Sequence, residues 1–148
     1  MKNLIEVEVR NILFIKNEEG EGSFLVILGE KEGKRVLPIS IGLFEAQAIA
    51  RAKEGIRGER PLTHELIVKL FEEIGVKLEK VIVNDLINEV FYARLIIRKD
   101  DKLLSIDARP SDSIAIAVLA NVPIFVSSSV MDKAGEEPPE DIEGDLEA

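Results

Sequence analysis

The stretch Leu103–Ala120, LLSIDARPSDSIAIAVLA, determines how the rest of the chain is interpreted. A short apolar strand is predicted to run into Asp107, and Arg109-Pro110 then opens a helix. From Ile114 to Ala120 this helix is apolar on every face, which is typical of a helix buried on all sides. Its entrance is polar, and ionisable groups beside a buried helix are costly unless they are paired or functional. This conflict makes the helix entrance the first candidate for a functional site.

Two groups of three strands are predicted, each joined by short turns, as in an antiparallel meander. The first group is Ile5–Ile15, Phe24–Leu28 and Arg35–Ile41, and the second is Val76–Leu86, Val90–Arg98 and Leu103–Asp107. The expected fold class is α+β, with a mixed or antiparallel sheet built from two β-meanders and packed with Ala/Ile-rich helices.

The remaining elements follow from helix periodicity and from glycine and proline positions. A helix is predicted over Phe44–Ala52, ended by Gly55 and Gly58, and a second one, with Thr63 or a neighbour as its cap, ends at Gly75. A short strand at Ile124–Val126 and a short helix over Ser127–Ala134 complete the pattern.

A weaker copy of the opening stretch lies upstream. When Glu45 is aligned with Asp112, Ile39–Gly42 falls on Ile106–Arg109, and both segments run into an Ala/Ile helix with an acid in its first turn. An acid in that position is favourable against the helix dipole. The copy indicates either chance similarity or an internal duplication, in which the two helices would pack together or against the sheet.

Composition and charge bear on several classes of protein. No apolar run approaches the roughly 18–20 residues of a membrane span, so no membrane association is expected. The chain contains no cysteine, which excludes disulfides and thiolate metal sites. Residues 132–148 carry eight acidic residues and one lysine, and so contribute most of the net charge of −9. The remaining body is nearly neutral, which neither suggests nor excludes nucleic-acid binding, whose usual sign is a strongly basic surface.

Further expectations concern location and organisation. The segment MKNLIEVEVRNIL has no apolar signal-peptide core, which predicts a cytoplasmic protein. Scarce glutamine with abundant glutamate and lysine is typical of thermophile proteins. One domain is expected over residues 1–135, followed by an acidic tail, 136–148, that is predicted to be disordered.

Asp107, Arg109 and Asp112 permit two interpretations. In the functional one, the carboxylates hold a hard divalent cation and the arginine grips a phosphate. In the structural one, Asp112 caps the helix, Arg109 pairs with Asp107, and Pro110 occupies the first helical position. The residues alone favour the structural interpretation.

Three other positions complete the candidate set. His64, the only histidine, is a general base or metal ligand in one interpretation and a surface or capping residue in the other. Asp85 follows Asn84 at a predicted strand end, where it supplies another metal-binding oxygen or simply terminates the strand. Glu45 joins the site only if the internal copy brings the two helix starts together.

Four basic residues cluster around the end of the first predicted helix. They could track a phosphate backbone, or form a solvated loop with the interleaved Glu54 and Glu59. These residues are Arg51, Lys53, Arg57 and Arg60. No phosphate-binding loop, dinucleotide fingerprint, zinc-protease motif or nucleophile elbow is present in the sequence.

Five ordered blocks of this sequence resemble the bifunctional nuclease domain family. The blocks are LPISIGLFEAQAIA (37–50), RPLTHEL (60–66), VIVNDL (81–86), FYARL (91–95) and IDARPSDSIAIA (106–117). The resemblance covers roughly residues 5–135. It implies an α+β domain in a small prokaryotic-type cytoplasmic protein, often oligomeric, and degradation of both RNA and DNA, an activity attributed chiefly to plant relatives.

The resemblance places six residues at the polar motif positions of the family, without a settled catalytic assignment. These are His64, Glu65, Asp85, Asp107, Arg109 and Asp112. The first hypothesis is therefore a nuclease in which Asp107 and Asp112, with Asp85 or Glu45, hold Mg²⁺ or Mn²⁺ as cofactor. In it, Arg109 grips the phosphate, and His64 acts as the general base or orients the attacking water. The second is a non-catalytic homo-oligomeric module whose Asp/Arg motif forms ion pairs or binds a small anion.

Overall fold

Seven strands form one open mixed sheet in the computed structural model, which describes residues 3–138. The strands are β1 (Leu4–Lys16), β2 (Gly22–Glu30), β3 (Val36–Ile41), β4 (Lys77–Ile87), β5 (Val90–Lys99), β6 (Lys102–Ala108) and β7 (Ile124–Ser127). The helices are α1 (Leu43–Glu54), α2 (Thr63–Ile74), α3 (Pro110–Ala120) and α4 (Ser128–Ala134). The strand order is β3-β2-β1-β7-β4-β5-β6, which confirms the predicted α+β class.

Both predicted meanders are confirmed. Strands β1, β2 and β3 pair antiparallel in sequence order, and so do β4, β5 and β6. The late strand β7 joins the two meanders, because it pairs antiparallel with β1 and parallel with β4. Strand β4 ends at Ile87, one residue beyond the predicted end at Leu86, and its register shifts between Val83 and Asp85.

A row of apolar side chains crosses the middle of the sheet. Val7 lies opposite Ile124, which lies beside Val81, which in turn lies opposite Leu95. All four side chains are buried. Because residues paired across a sheet share a face, this row defines the side of the sheet that carries the core.

Helix α3 is buried on most of its surface, as its sequence predicts. It packs against α1, α2, β4 and β5, and Ile114 and Ile116 belong to the core. Its small Ala115 and Ala117 are also buried, which permits close approach of its neighbours. Helices α1 and α3 contact each other, in agreement with one arrangement expected from the internal copy.

Residues in left-handed conformations end several elements. Gly55 (φ 72°) and Gly75 (φ 78°) close α1 and α2 at the predicted positions. The hairpin between β4 and β5 turns at Asn88 (φ 51°) and Glu89 (φ 65°), and two successive positive φ angles are typical of a type I′ turn.

The start of the predicted acidic tail is attached to the sheet. Glu136 exchanges two backbone hydrogen bonds of 2.8 Å with Val36 of β3. From residue 139 onward the tail lies outside the described residues, and so does its predicted disorder there. Within residues 3–138, no helix combines the length and the apolar character that a membrane crossing needs.

Candidate functional site

Helices α1 and α3 begin in matching ways. Gly42 and Arg109 are the residues that precede the two helices, and neither helix start is capped by a side chain. Glu45 and Asp112 are each the third residue of their helix. The structure therefore gives the aligned acids the same local position.

Arg109 joins the two helix starts. Its Nε lies 2.9 Å from Oδ2 of Asp112, and its Nη2 lies 3.0 Å from Oε2 of Glu45. A further hydrogen bond of 3.2 Å runs from Nη2 to Oδ1 of Asp112. The structure thus brings Glu45, Arg109 and Asp112 into one cluster, as the internal copy allowed.

His64 adds a third helix start to this cluster. It lies in the first turn of α2, and its Nε2 is 2.8 Å from Oδ1 of Asp112. The His64 side chain is 17% exposed, so it is mostly buried. Thr63 is the first helical residue and its neighbour Leu62 is the cap, within the range predicted, and Glu65 accepts a 3.0 Å hydrogen bond from the backbone N–H of Leu62.

The contacts of Asp112 keep its carboxylate ionised. Burial raises the pKa of Asp112, but the hydrogen bonds from Arg109 and His64 outweigh burial, so the pKa lies below its usual value. The pKa of Arg109 lies above its usual value, chiefly because of its hydrogen bonds and charge attraction with Asp112, and to a smaller extent because of its contact with Glu45. Arg109 and Asp112 therefore form a charged pair at neutral pH.

An open cleft of about 410 Å³ borders the Arg109 side of the cluster. Arg109 and Glu45 line it together with Ser40, Ser111 and Phe91. The Arg109 side chain is 63% exposed, which makes it the most accessible member of its ion pairs with Glu45 and Asp112. The cleft gives solutes a route to a guanidinium group.

Two predicted site residues lie outside the cluster. Asp107 on β6 is 74% exposed, and Arg94 of the neighbouring strand approaches it at 3.8 Å. Asp85 lies at the irregularity in β4, where its Oδ1 accepts a 2.9 Å hydrogen bond from the backbone N–H of Leu86. The strand positions of Asp107 and Asp85 separate them from the helix starts.

The structural interpretation also needs correction. Arg109 pairs with Asp112 and Glu45, whereas it was predicted to pair with Asp107. Asp112 does not cap α3, because its carboxylate oxygens accept hydrogen bonds from Arg109 and His64. Pro110 does occupy the first helical position.

The donor set of the cluster does not fit a divalent cation. Within residues 3–138, no three histidine, aspartate or glutamate side chains form a group that could hold a metal ion. The guanidinium of Arg109 contacts both Glu45 and Asp112, and a cation bound by the same oxygens would face its positive charge. The set of Asp107, Asp112, Asp85 and Glu45 is thus not assembled, and the Mg²⁺ or Mn²⁺ requirement stays a prediction.

The basic segment before α2 has a mixed environment. Arg57 and Lys69 line a second cleft, of about 310 Å³, together with three glutamates. The glutamates are Glu59, Glu65 and Glu72. A role for Arg51, Lys53, Arg57 and Arg60 along a phosphate backbone stays a prediction.

Some site residues were missed by sequence reasoning. Ser40 and Ser111 line the cleft beside Arg109, and Ser113 donates from Oγ to the carbonyl oxygen of Arg109 at 2.9 Å. Ser111 and Ser113 are buried within the polar start of α3, which is the signal that could have identified them. No local signal relates His64 to Asp112, since 48 residues separate them in the sequence.

Comparison with known proteins places these residues in a family. The profile of the bifunctional nuclease domain matches residues 26–139. The chain belongs to the bifunctional nuclease domain family. The matched range contains Glu45, His64, Arg109 and Asp112, so the whole cluster lies within the family domain.

Relatives extend from bacteria to plants. An uncharacterized protein of Mycobacterium tuberculosis (strain ATCC 25618 / H37Rv) is 43% identical over 128 residues, which cover 86% of this chain and 76% of the relative. Bifunctional nuclease 1 of Oryza sativa subsp. japonica is 27% identical over 109 residues, 72% of this chain and 33% of the plant protein. Bifunctional nuclease 2 of Arabidopsis thaliana is 27% identical over 128 residues, 84% of this chain and 35% of that protein.

Proposed function

We propose that this chain hydrolyses phosphodiester bonds of RNA and DNA, with His64, Asp112 and Arg109 as its working residues. Membership of the bifunctional nuclease domain family supports nucleic acid as the substrate. The observation that carries the proposal is the 2.8 Å contact between His64 and Asp112 beside an exposed arginine. A histidine held by a carboxylate is a common general base.

His64 and Asp112 have separate roles in the proposed reaction. With Nε2–H donated to Asp112, the other ring nitrogen of His64 can take a proton from an attacking water. Water oxygen then bonds to phosphorus, the ester bond to the leaving oxygen breaks, and solvent returns a proton to that oxygen. Asp112 orients the ring and stabilises the imidazolium that forms.

Arg109 is placed to bind the phosphate. Its ion pairs with Glu45 and Asp112 use Nε and Nη2. Nη1 forms no ion pair within residues 3–138, so its N–H groups can donate to a phosphate oxygen while the existing contacts persist. Charge-assisted hydrogen bonds of this kind would stabilise the transition state.

The test is hydrolysis of single- and double-stranded RNA and DNA by highly purified protein, in Mg²⁺, Mn²⁺ and EDTA. His64→Asn should lower the rate by about 10²-fold or more, the usual contribution of a general base. Asp85→Asn is the matched control, because Asp85 lies outside the cluster, and it should retain activity. Equal activity in both variants would indicate a contaminating nuclease and refute the assignment.

A second candidate function is a non-catalytic module in which the same ion pairs are structural. The ion pairs of Arg109 with Glu45 and Asp112 favour this function, because these carboxylates already compensate the charge of the guanidinium group. The variant Arg109→Gln distinguishes the two functions. The non-catalytic module is supported if this variant loses thermal stability and the parent protein hydrolyses no nucleic acid in any metal condition. A cytoplasmic location belongs to both candidates and stays a prediction of the sequence.

A further inference from the structure

The two edges of the sheet are protected differently. The β3 edge contains Pro38, which lacks an N–H group, and its Val36 pairs with Glu136. The β6 edge has seven residues, no proline, and no further strand beside it within residues 3–138. Natural proteins usually cover or interrupt such an edge, because its free backbone groups can pair with another chain.

The β6 edge is also apolar. Leu103, Leu104 and Ile106 keep 55%, 39% and 43% of their surface exposed. Leu104 lies opposite Ile97 and Ile106 lies opposite Leu95, and both β5 residues belong to the core. The core row of the sheet therefore continues onto β6 and stops at an exposed edge.

We propose that β6 pairs antiparallel with β6 of a second copy of this chain, about a two-fold axis at Ser105. This register pairs all seven residues of Lys102–Ala108. It places Leu104 opposite Ile106 of the second copy, and the reverse, so two apolar cross-strand pairs form on the core side. The interface is isologous, since each copy presents the same strand.

The charged residues favour this register over the one in which the two-fold axis is shifted by one residue, to Leu104. With the axis at Ser105, Asp101 comes opposite Arg109 of the second copy, one residue beyond the paired strands. With the axis at Leu104, Asp101 would oppose Asp107, and like charges directly opposite each other are destabilising. The alternative also leaves one end of the strand unpaired.

One existing contact touches the proposed interface. Arg94 donates hydrogen bonds of 2.9 Å to Oγ and to the carbonyl oxygen of Ser105. A carbonyl oxygen accepts two hydrogen bonds, so this contact leaves room for an N–H group of the second copy. Arg94 would thus remain in place when the sheets join.

Engineered cysteines test the register directly, because the chain has no cysteine of its own. Opposite residues of antiparallel strands have Cα atoms about 4.5–5.5 Å apart, within the range of a disulfide. Ser105→Cys should therefore cross-link to a covalent dimer on mild oxidation, and Leu104→Cys, one residue away, should do so far less. Efficient cross-linking of Leu104→Cys with none at Ser105→Cys would overturn the register.

Light scattering after size exclusion tests the interface itself. The parent protein should be a dimer at micromolar concentration, and Leu104→Glu should be a monomer. The matched control is Leu70→Glu, because Leu70 on α2 is similarly exposed, at 49%, and lies away from β6. A monomeric parent protein, or a dimer that Leu70→Glu dissociates and Leu104→Glu does not, would overturn the proposal. Neither result depends on hydrolysis of nucleic acid.

Discussion

The two halves of the molecule share a topology but differ in what they contribute. In each half a meander ends in an edge strand, β3 or β6, that runs into a helix whose third residue is acidic. The first half precedes its helix with Gly42, and the second with Arg109. The comparison shows how one architecture supplies a supporting carboxylate from one half and the cationic centre from the other.

The matched helices also differ in burial. In the alignment of the two halves, Gln47 of α1 corresponds to Ile114 of α3. Gln47 is exposed, whereas Ile114 is completely buried. Helix α1 has one polar side, and α3 is surrounded by α1, α2, β4 and β5. Position in the fold, more than the repeated motif, determines what each helix requires.

The largest expected difference between the halves is catalytic. Asp112→Asn should lower the rate of phosphodiester hydrolysis by about 10²-fold, because the histidine loses its orienting carboxylate. Glu45→Gln should change the rate by about threefold or less, because Arg109 is the only ion-pair partner of Glu45 within residues 3–138 and a single ion pair is weak. Steady-state kinetics on a fluorescent oligonucleotide measures both. Equal losses would assign the two acids equivalent roles and remove the functional contrast.

A packing comparison is expected to be nearly as large. Ile114→Ala should lower the free energy of unfolding by about 2–5 kcal/mol, through lost burial and a cavity. Gln47→Ala should change it by less than about 0.5 kcal/mol, as is usual for an exposed position. Urea denaturation followed by circular dichroism measures these differences. A small effect at Ile114 would mean that the surroundings of α3 collapse into the cavity.

The smallest expected effect concerns pH and the ion pairs of Asp112. Because the folded-state pKa of Asp112 is below its unfolded value of about 3.9, its ionisation stabilises the protein above that pH. The stabilisation is lost as the pH falls through the folded-state pKa. Asp112→Asn should thus lower the free energy of unfolding by about 1–3 kcal/mol at pH 7.

Denaturation curves at successive pH values check this linkage. The gap between the parent protein and Asp112→Asn should narrow as the pH falls below about 4, where Asp112 begins to accept a proton. Asp107→Asn is the control, because Asp107 is mostly exposed, and it should cost less than about 0.5 kcal/mol at pH 7. A gap that is constant with pH would show that the carboxylate charge does not stabilise the fold.

Much of the architecture was predictable because it depends on local patterns. Apolar alternation identified β1. Glycines marked the ends of α1 and α2, because glycine has no Cβ and adopts the left-handed conformation at a helix end without steric cost. The uniformly apolar sequence of α3 predicted its burial. The position of β7 between β1 and β4 was not predictable, because it depends on pairings between strands far apart in the sequence.

The candidate site also combines features that depend on local sequence with features that depend on long-range packing. By itself, the sequence determined the two meanders, the buried helix and its polar entrance, because hydrophobic periodicity and helix-start chemistry are local. Only the tertiary structure decided which polar residues meet: Glu45, His64 and Asp112 converge through Arg109 and the packing of three helices, while Asp107 stays on the exposed face of β6. His64 and Asp112 are 48 residues apart in the sequence, and they meet only because α2 and α3 pack together. No local pattern in the sequence predicts a contact of that kind.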